Sequence, residues 1–214
     1  YILEVEDRVI ESINGDQISY KINQIQSLNN PKAYLYYLLK PYGFTDWYEI
    51  SLLLEAQTGK QISSPTHRLI KNRQQLILSK LVTPVPVSIS IDSSQTVVDI
   101  PGHSIALKME LTNSKVSTST DIIQLDFESL KFPLTLRQWN EGDYFYPSGM
   151  QGKKKLSKFF KDEKLSLIDK EKVLILCSGD QVVWVVGKRA DNRFMVNDQT
   201  SKFIKISIEV NAYS

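Results

Sequence analysis

Val173-Leu174-Ile175-Leu176-Cys177-Ser178-Gly179-Asp180-Gln181-Val182-Val183-Trp184-Val185-Val186 is the stretch whose reading decides the fold. Two apolar runs, Val173 to Cys177 and Val182 to Val186, flank four turn residues. Glycine in the first position of a two-residue turn suits a type II′ hairpin, which needs positive φ there. Neither run alternates apolar with polar residues. A strand that is apolar on both sides is covered on both sides. The pair therefore predicts a hairpin at the centre of a layered unit.

Working outward, the neighbours alternate as half-covered strands do. Leu134 and Leu136 point one way and Arg137 the other. Phe203, Ile204, Ile206 and Ile208 supply a closing strand. Upstream, strands are expected at Val87 to Ile91, Val97–Val98, Ile105 to Leu111 and Ile122 to Leu125, with a turn at Pro101-Gly102 and a Ser/Thr-rich loop from Thr112 to Thr120. Pro84 and Pro86 mark a boundary, and before them the period becomes helical. Tyr1 to Ile13 reads as one helix, broken by Asn14-Gly15-Asp16, with a short extended piece around Ile18 and Tyr20. Asn30-Pro31 is an N-cap followed by a proline at the first helical position. That helix runs through Leu35 and Leu39 to a stop at Pro41 and Gly43. Thr45 or Asp46 caps the next, which carries Trp47, Ile50 and Leu54. The predicted class is α+β. A helical middle domain over residues 1–82, with a β-hairpin near 65–80, precedes a β-rich region over 83–214 with a short basic helix.

Charge is uneven along the chain. The net charge is +2. Residues 131–214 hold fifteen Lys/Arg against ten Asp/Glu, while residues 81–130 hold two against six. A basic segment beside an acidic one is the footprint of an anion-binding surface. The single cysteine, Cys177, excludes an internal disulfide framework and suits the cytoplasm. No apolar run nears the roughly 20 residues of a membrane helix. Gly59-Lys60 is not a phosphate loop, because Leu54 stands where the first glycine belongs and Gln61 where Ser or Thr is required. His67 has no partner at catalytic or metal-ligand spacing, so neither a metal nor a catalytic site is expected.

The basic excess centres on Trp139 to Phe160, where a Gly149-Met150-Gln151-Gly152 loop leads into Lys153, Lys154 and Lys155. A helix over 154–163 puts Leu156, Phe159 and Phe160 on one face. Lys154, Lys158 and Lys161 then form a ridge on the other, with Lys155 at its flank. Arg137, Arg189 and Arg193 would extend the patch if the strands bring them near. Lys60, Arg68, Lys71 and Arg73 form a secondary basic cluster around the turn near residue 72. On pattern alone, each group is either a phosphate-binding surface or a solvated charged face.

Several of these residues carry a family resemblance. Leu134-Thr135-Leu136-Arg137, Gly142-Asp143-Tyr144-Phe145, Pro147 to Met150, Lys153 to Phe160 and Val186 to Phe194 together resemble the C-terminal domain of tRNA(Ile)-lysidine synthases, here over about residues 131–210. Tyr42-Gly43-Phe44 and Gly59 through Leu69 resemble that family's middle region. The resemblance implies an ATP-dependent carbon–nitrogen ligase at full length. Such an enzyme adenylates the wobble cytidine of CAU-anticodon tRNA(Ile), using ATP with Mg, and lysine then displaces AMP. It also implies that the chemistry belongs to an N-terminal pyrophosphatase-loop domain. With no Gly-Gly pair in the sequence, the chain is expected to be a fragment without that domain, inactive alone, with no cofactor or catalytic residue of its own. Its implied role is to hold tRNA through Lys153, Lys154, Lys155 and Arg137. The competing reading is a structural or homodimerising module that touches RNA little.

Overall fold

The computed structural model describes residues 2–81 and 86–210. The expected boundary at 82/83, with Pro84, lies outside the described residues. The chain divides into two compact units, Tyr1–Pro84 and Val85–Ser214. Strands outweigh helices, all sheet pairings are antiparallel, and the class is α+β.

In the first unit, α1 (Ile2–Val9) runs directly into β1 (Ile10–Asn14). The helix expected to reach Ile13 therefore ends four residues earlier. Its last residues pair with β2 (Gln17–Lys21), and Gly15 (φ +57°) and Asp16 form the two-residue loop between them. Local helical spacing has yielded to cross-strand pairing, which context routinely imposes on weak propensity. Then come α2 (Ile22–Gln26), α3 (Pro31–Leu39) and α4 (Trp47–Leu52). Asn30 Oδ1 accepts from the Ala33 N–H and Asp46 Oδ1 from the Glu49 N–H, so α3 starts at its predicted cap and α4 at Asp46, one of the two expected. Strands β3 (Gln61–Ser63), β4 (His67–Asn72) and β5 (Gln75–Lys80) complete a sheet of order β1-β2-β5-β4-β3. The expected β4–β5 hairpin is present, in a larger sheet than one hairpin supplies. Leu69, Leu76 and Leu78 pack from this sheet against Leu35, Leu39, Ile50 and Leu53 of the helical segment.

The second unit is layered around the hairpin of residues 173–186. Its elements are β6 (Ser88–Ile91), β7 (Val97–Asp99), β8 (Ile105–Thr112), β9 (Ile122–Asp126), β10 (Leu134–Gln138), β11 (Tyr144–Phe145), β12 (Lys154–Lys155), α5 (Leu156–Asp162), α6 (Leu167–Glu171), β13 (Leu174–Ser178), β14 (Gln181–Val185), β15 (Arg189–Ala190) and β16 (Phe203–Val210). One sheet has the order β15-β14-β13-β10-β6 and another β7-β8-β16-β9. Gly179, at φ +56°, opens the two-residue loop from β13 to β14. Leu134, Leu136, Leu174, Leu176 and Trp184 pack toward Leu107, Met109, Ile123 and Ile206 of the second sheet. On the other side, Ile175, Cys177, Val182 and Val185 pack against Phe145, Leu156, Phe159 and Phe160. The hairpin is thus covered on both faces, and the helix that carries the basic residues lies over one of them.

Candidate nucleic-acid interface

The triple lysine is not helical. Lys154 and Lys155 form β12, which pairs with β11 in the register Tyr144↔Lys155 and Phe145↔Lys154. Gly149 and Gly152, at φ +75° and +82°, turn the chain between the two strands. Paired residues of a ribbon share a face, and successive residues alternate. Phe145 and Lys154 therefore face inward, and Tyr144 and Lys155 face outward. Phe145 is fully buried against Phe159, ring to ring at 5.1 Å. Lys154 follows it in. Its side chain is 15% exposed, and its Nζ lies 2.9 Å from Asp162 Oδ2. The hydrogen bond from Lys154, with the more distant Lys158 and Lys161, draws the Asp162 carboxyl below its ordinary range.

This corrects the expected ridge. Lys154 does not stand on it, because α5 starts at Leu156, two residues later than the spacing suggested. Leu156, Phe159 and Phe160 are buried as expected, and Lys158 and Lys161 are exposed. Lys153 and Lys155 are also exposed, but they belong to the ribbon's outer face. Lys153 Nζ sits 3.6 Å from the Tyr144 ring centroid. None of Lys153, Lys155, Lys158 and Lys161 is in an ion pair among the described residues.

The arginines behave otherwise. In register, Arg137 pairs with Ile175, Ile175 with Val185, and Val185 with Arg189. One row across four strands thus carries an arginine at each end, on the face covered by α5. Arg137 grips Asp143 with two bonds, Nη1–Oδ2 at 2.8 Å and Nη2–Oδ1 at 2.9 Å. That bidentate pair raises the arginine pKa. Burial alone would raise the Asp143 carboxyl. The hydrogen bonds from Arg137 and the Asn140 N–H outweigh it, so the net direction is down. Arg189 Nη1 donates to the Ser148 carbonyl at 3.1 Å. The two arginines thereby pin the segments before and after β11. Arg193 is held by Asp191, Nε–Oδ1 at 3.0 Å and Nη2–Oδ2 at 2.8 Å, and Asp191 is fully buried. Asp191 also accepts from the Tyr146 N–H, so it ties the same loop. These three cations are committed to the fold around the ribbon.

The secondary cluster of the first unit also divides. Lys71 faces inward with Leu69 and is only 7% exposed, its Nζ donating to the Leu54 carbonyl at 2.8 Å. Burial lowers its pKa. Arg68 Nε donates to Ser79 Oγ across the β4–β5 pair. Lys60 and Arg73 are exposed. His67 is half-buried, beside Tyr42 and Thr66. Burial raises the Cys177 thiol to about 11, so it is no nucleophile near neutral pH. No helix among the described residues is long and apolar enough to cross a membrane.

Two family descriptions match this architecture. "TilS substrate binding domain" matches residues 13–81. "TilS substrate C-terminal domain" matches residues 134–208. The chain belongs to the TilS family. A tRNA(Ile)-lysidine synthase of Parabacteroides distasonis is 38% identical over 97% of this chain and 47% of the relative. One from Bacteroides thetaiotaomicron is 33% identical over 81% of this chain and 39% of the relative. The chain thus spans about half the length of these curated relatives. A crystal structure of a TilS C-terminal domain superposes with a TM-score of 0.50 at 20% identity, covering 58% of this chain and 98% of that one. At that identity the likeness is one of fold.

Proposed function

We propose that this chain is the tRNA-holding part of a tRNA(Ile)-lysidine synthase. At full length the enzyme would use ATP to attach lysine to the wobble cytidine of CAU-anticodon tRNA(Ile). In this reading the present residues position the tRNA and catalyse nothing alone, and the protein works in the cytoplasm. The observation that carries it is the exposed set Lys153, Lys155, Lys158 and Lys161, free of ion pairs among the described residues, in a unit that matches the TilS substrate C-terminal domain. Lysines of this kind act toward phosphate as point charges and release counterions on contact. Arg137, Arg189 and Arg193 serve the surface indirectly, by fixing the loop from which it projects.

The test is a filter-binding titration of tRNA against this chain over a range of salt. Replacing Lys153, Lys155, Lys158 and Lys161 by alanine should weaken binding. It should also flatten the log–log salt slope by about 0.7–0.9 for each lysine that meets a phosphate. An unchanged slope overturns the assignment. If sedimentation then shows a tight dimer, the homodimerising module takes its place.

A further inference from the structure

The outer face of the ribbon holds more than charge. Tyr144 is 39% exposed and belongs to none of the hydrophobic clusters, although its neighbour Phe145 is wholly inside one. Tyr146 lies two residues on, with its ring centroid 6.3 Å from that of Tyr144 and nearly perpendicular to it. Each ring has a cation against it. Lys153 Nζ is 3.6 Å from the centroid of Tyr144, and the Arg193 guanidinium carbon is 4.4 Å from that of Tyr146. The nearby carboxylates are turned away, Asp143 to Arg137 and Asp191 to Arg193. What remains outward is two aromatic rings between two cations, on a loop fixed at both ends.

We propose that Tyr144 and Tyr146 are a stacking site for an unpaired nucleotide, with Lys153 as the ligand of its phosphate. This deepens the proposed function and rests on that reading. A duplex offers phosphates but keeps its base faces stacked inside, so an exposed ring adds nothing to duplex binding. An unpaired base presents a π face to an aromatic side chain regardless of its identity. Lys153 leaves the ring for the phosphate when the base arrives, and the second ring, fixed by Arg193, limits where the nucleotide lies. The Arg193 guanidinium, held by the buried Asp191 and lying 4.4 Å from the Tyr146 centroid, fixes that ring in place, so little side-chain freedom is lost on binding. The inner residues of the same ribbon supply the rigidity, because Phe145 and Lys154 fix its register against α5.

The experiment compares a single-stranded RNA of about 12 nucleotides, carrying one 2-aminopurine, with its blunt duplex. The wild-type chain should quench the 2-aminopurine in the single strand. Tyr144→Leu keeps apolar bulk but removes the π face. It should abolish the quenching and weaken single-strand binding about tenfold. Its salt slope should stay parallel to wild type and its duplex affinity unchanged. Tyr144→Phe should retain both quenching and affinity, which separates stacking from a folding defect. Lys153→Ala should instead flatten the slope. Equal loss on duplex and single strand, or no loss with Tyr144→Leu, overturns the stacking site. Neither result touches the proposed function, which is judged separately by the salt slope of the four-lysine variant on tRNA.

Discussion

Lys71 and Lys155 both lie on short strands beside a turn, in segments whose charge first suggested an anion-binding surface. Lys71 is buried among leucines with its ammonium on the Leu54 carbonyl. Lys155 is exposed opposite Tyr144. Strand phase makes the difference. Lys71 shares a face with Leu69, which packs on the helices, whereas Lys155 shares one with Tyr144, which is exposed and outside the hydrophobic cluster beneath it. Within the C-terminal unit the same division separates the arginines, held by Asp143, Ser148 and Asp191, from the outward lysines. A count of basic residues thus measures charge, and strand phase together with carboxylate partners decides how much of it a ligand can reach.

The division breaks most severely at Asp191. This buried carboxylate accepts from the Tyr146 and Arg193 N–H groups and from the Arg193 side chain. Asp191→Ala should cost about 3 kcal/mol in urea unfolding, the low end for breaking a buried pair because Arg193 remains 30% exposed. It should weaken RNA binding too, although no phosphate ligand is removed. A loss below about 1 kcal/mol would mean that the loop is held by other bonds.

Asp143→Asn should be milder, about 1–2 kcal/mol near neutral pH, because the neutral amide cannot match a charge-assisted fork. The pH dependence has a fixed sign. The folded pKa lies below the unfolded value of about 3.9, so the unfolded state binds more protons between the two. Wild-type advantage over Asp143→Asn should therefore be full above about pH 5 and vanish as pH falls through the folded pKa. An advantage that persists in acid would show that shape, rather than the ion pair, holds the loop.

These two carboxylates also mark what could and could not be read from the chain. The central hairpin was legible, because apolar runs on both sides of Gly179-Asp180 admit few other structures. The same Gly-Asp loop occurs at Gly15-Asp16, but there the flanking Val5, Val9 and Ile10 spacing favoured a helix, and β1 was missed. The buried face of α5 was legible from Leu156, Phe159 and Phe160. The start of α5 was not, since Lys154 and Lys155 fit a helix as well as a strand. Tyr144-Phe145-Tyr146 and Lys153-Lys154-Lys155 on either side of a glycine loop do carry a hairpin signal, and it would have put Lys154 inside. Nothing local reveals that Asp191 is buried, so Arg193 could not be told from a free cation.

Smaller effects test the lysines one at a time. Lys155→Ala should reduce the tRNA salt slope by about 0.7–0.9, while Lys154→Ala leaves it unchanged. The Lys154 change should instead cost a little stability, since its partner Asp162 is about half exposed and the pair is screened by water. A reversal, with Lys154 carrying the slope, would mean that the ribbon turns over when RNA binds.

The smallest expected effect on RNA is at Lys71. Lys71→Met keeps the length of the side chain and removes its charge. The tRNA salt slope should not move, because a cation under the helices meets no phosphate. Removing Lys60 and Arg73 together is the matched control, since these exposed cations flatten the slope if the first unit touches RNA at all. Stability should respond to Lys71→Met in a way that a surface lysine would not. Burial lowers the folded pKa below the unfolded value of about 10.4, so the unfolded state binds more protons in that window. Wild-type stability should therefore rise relative to Lys71→Met as pH climbs through the folded pKa toward 10. At lower pH the ammonium is charged in both states, and its buried site offers it the Leu54 carbonyl and the more distant Glu55 carboxylate, which offset its burial only in part. If the two proteins instead keep a constant difference up to pH 10, Lys71 is solvated in solution, and its segment returns to the set of surfaces that could hold RNA.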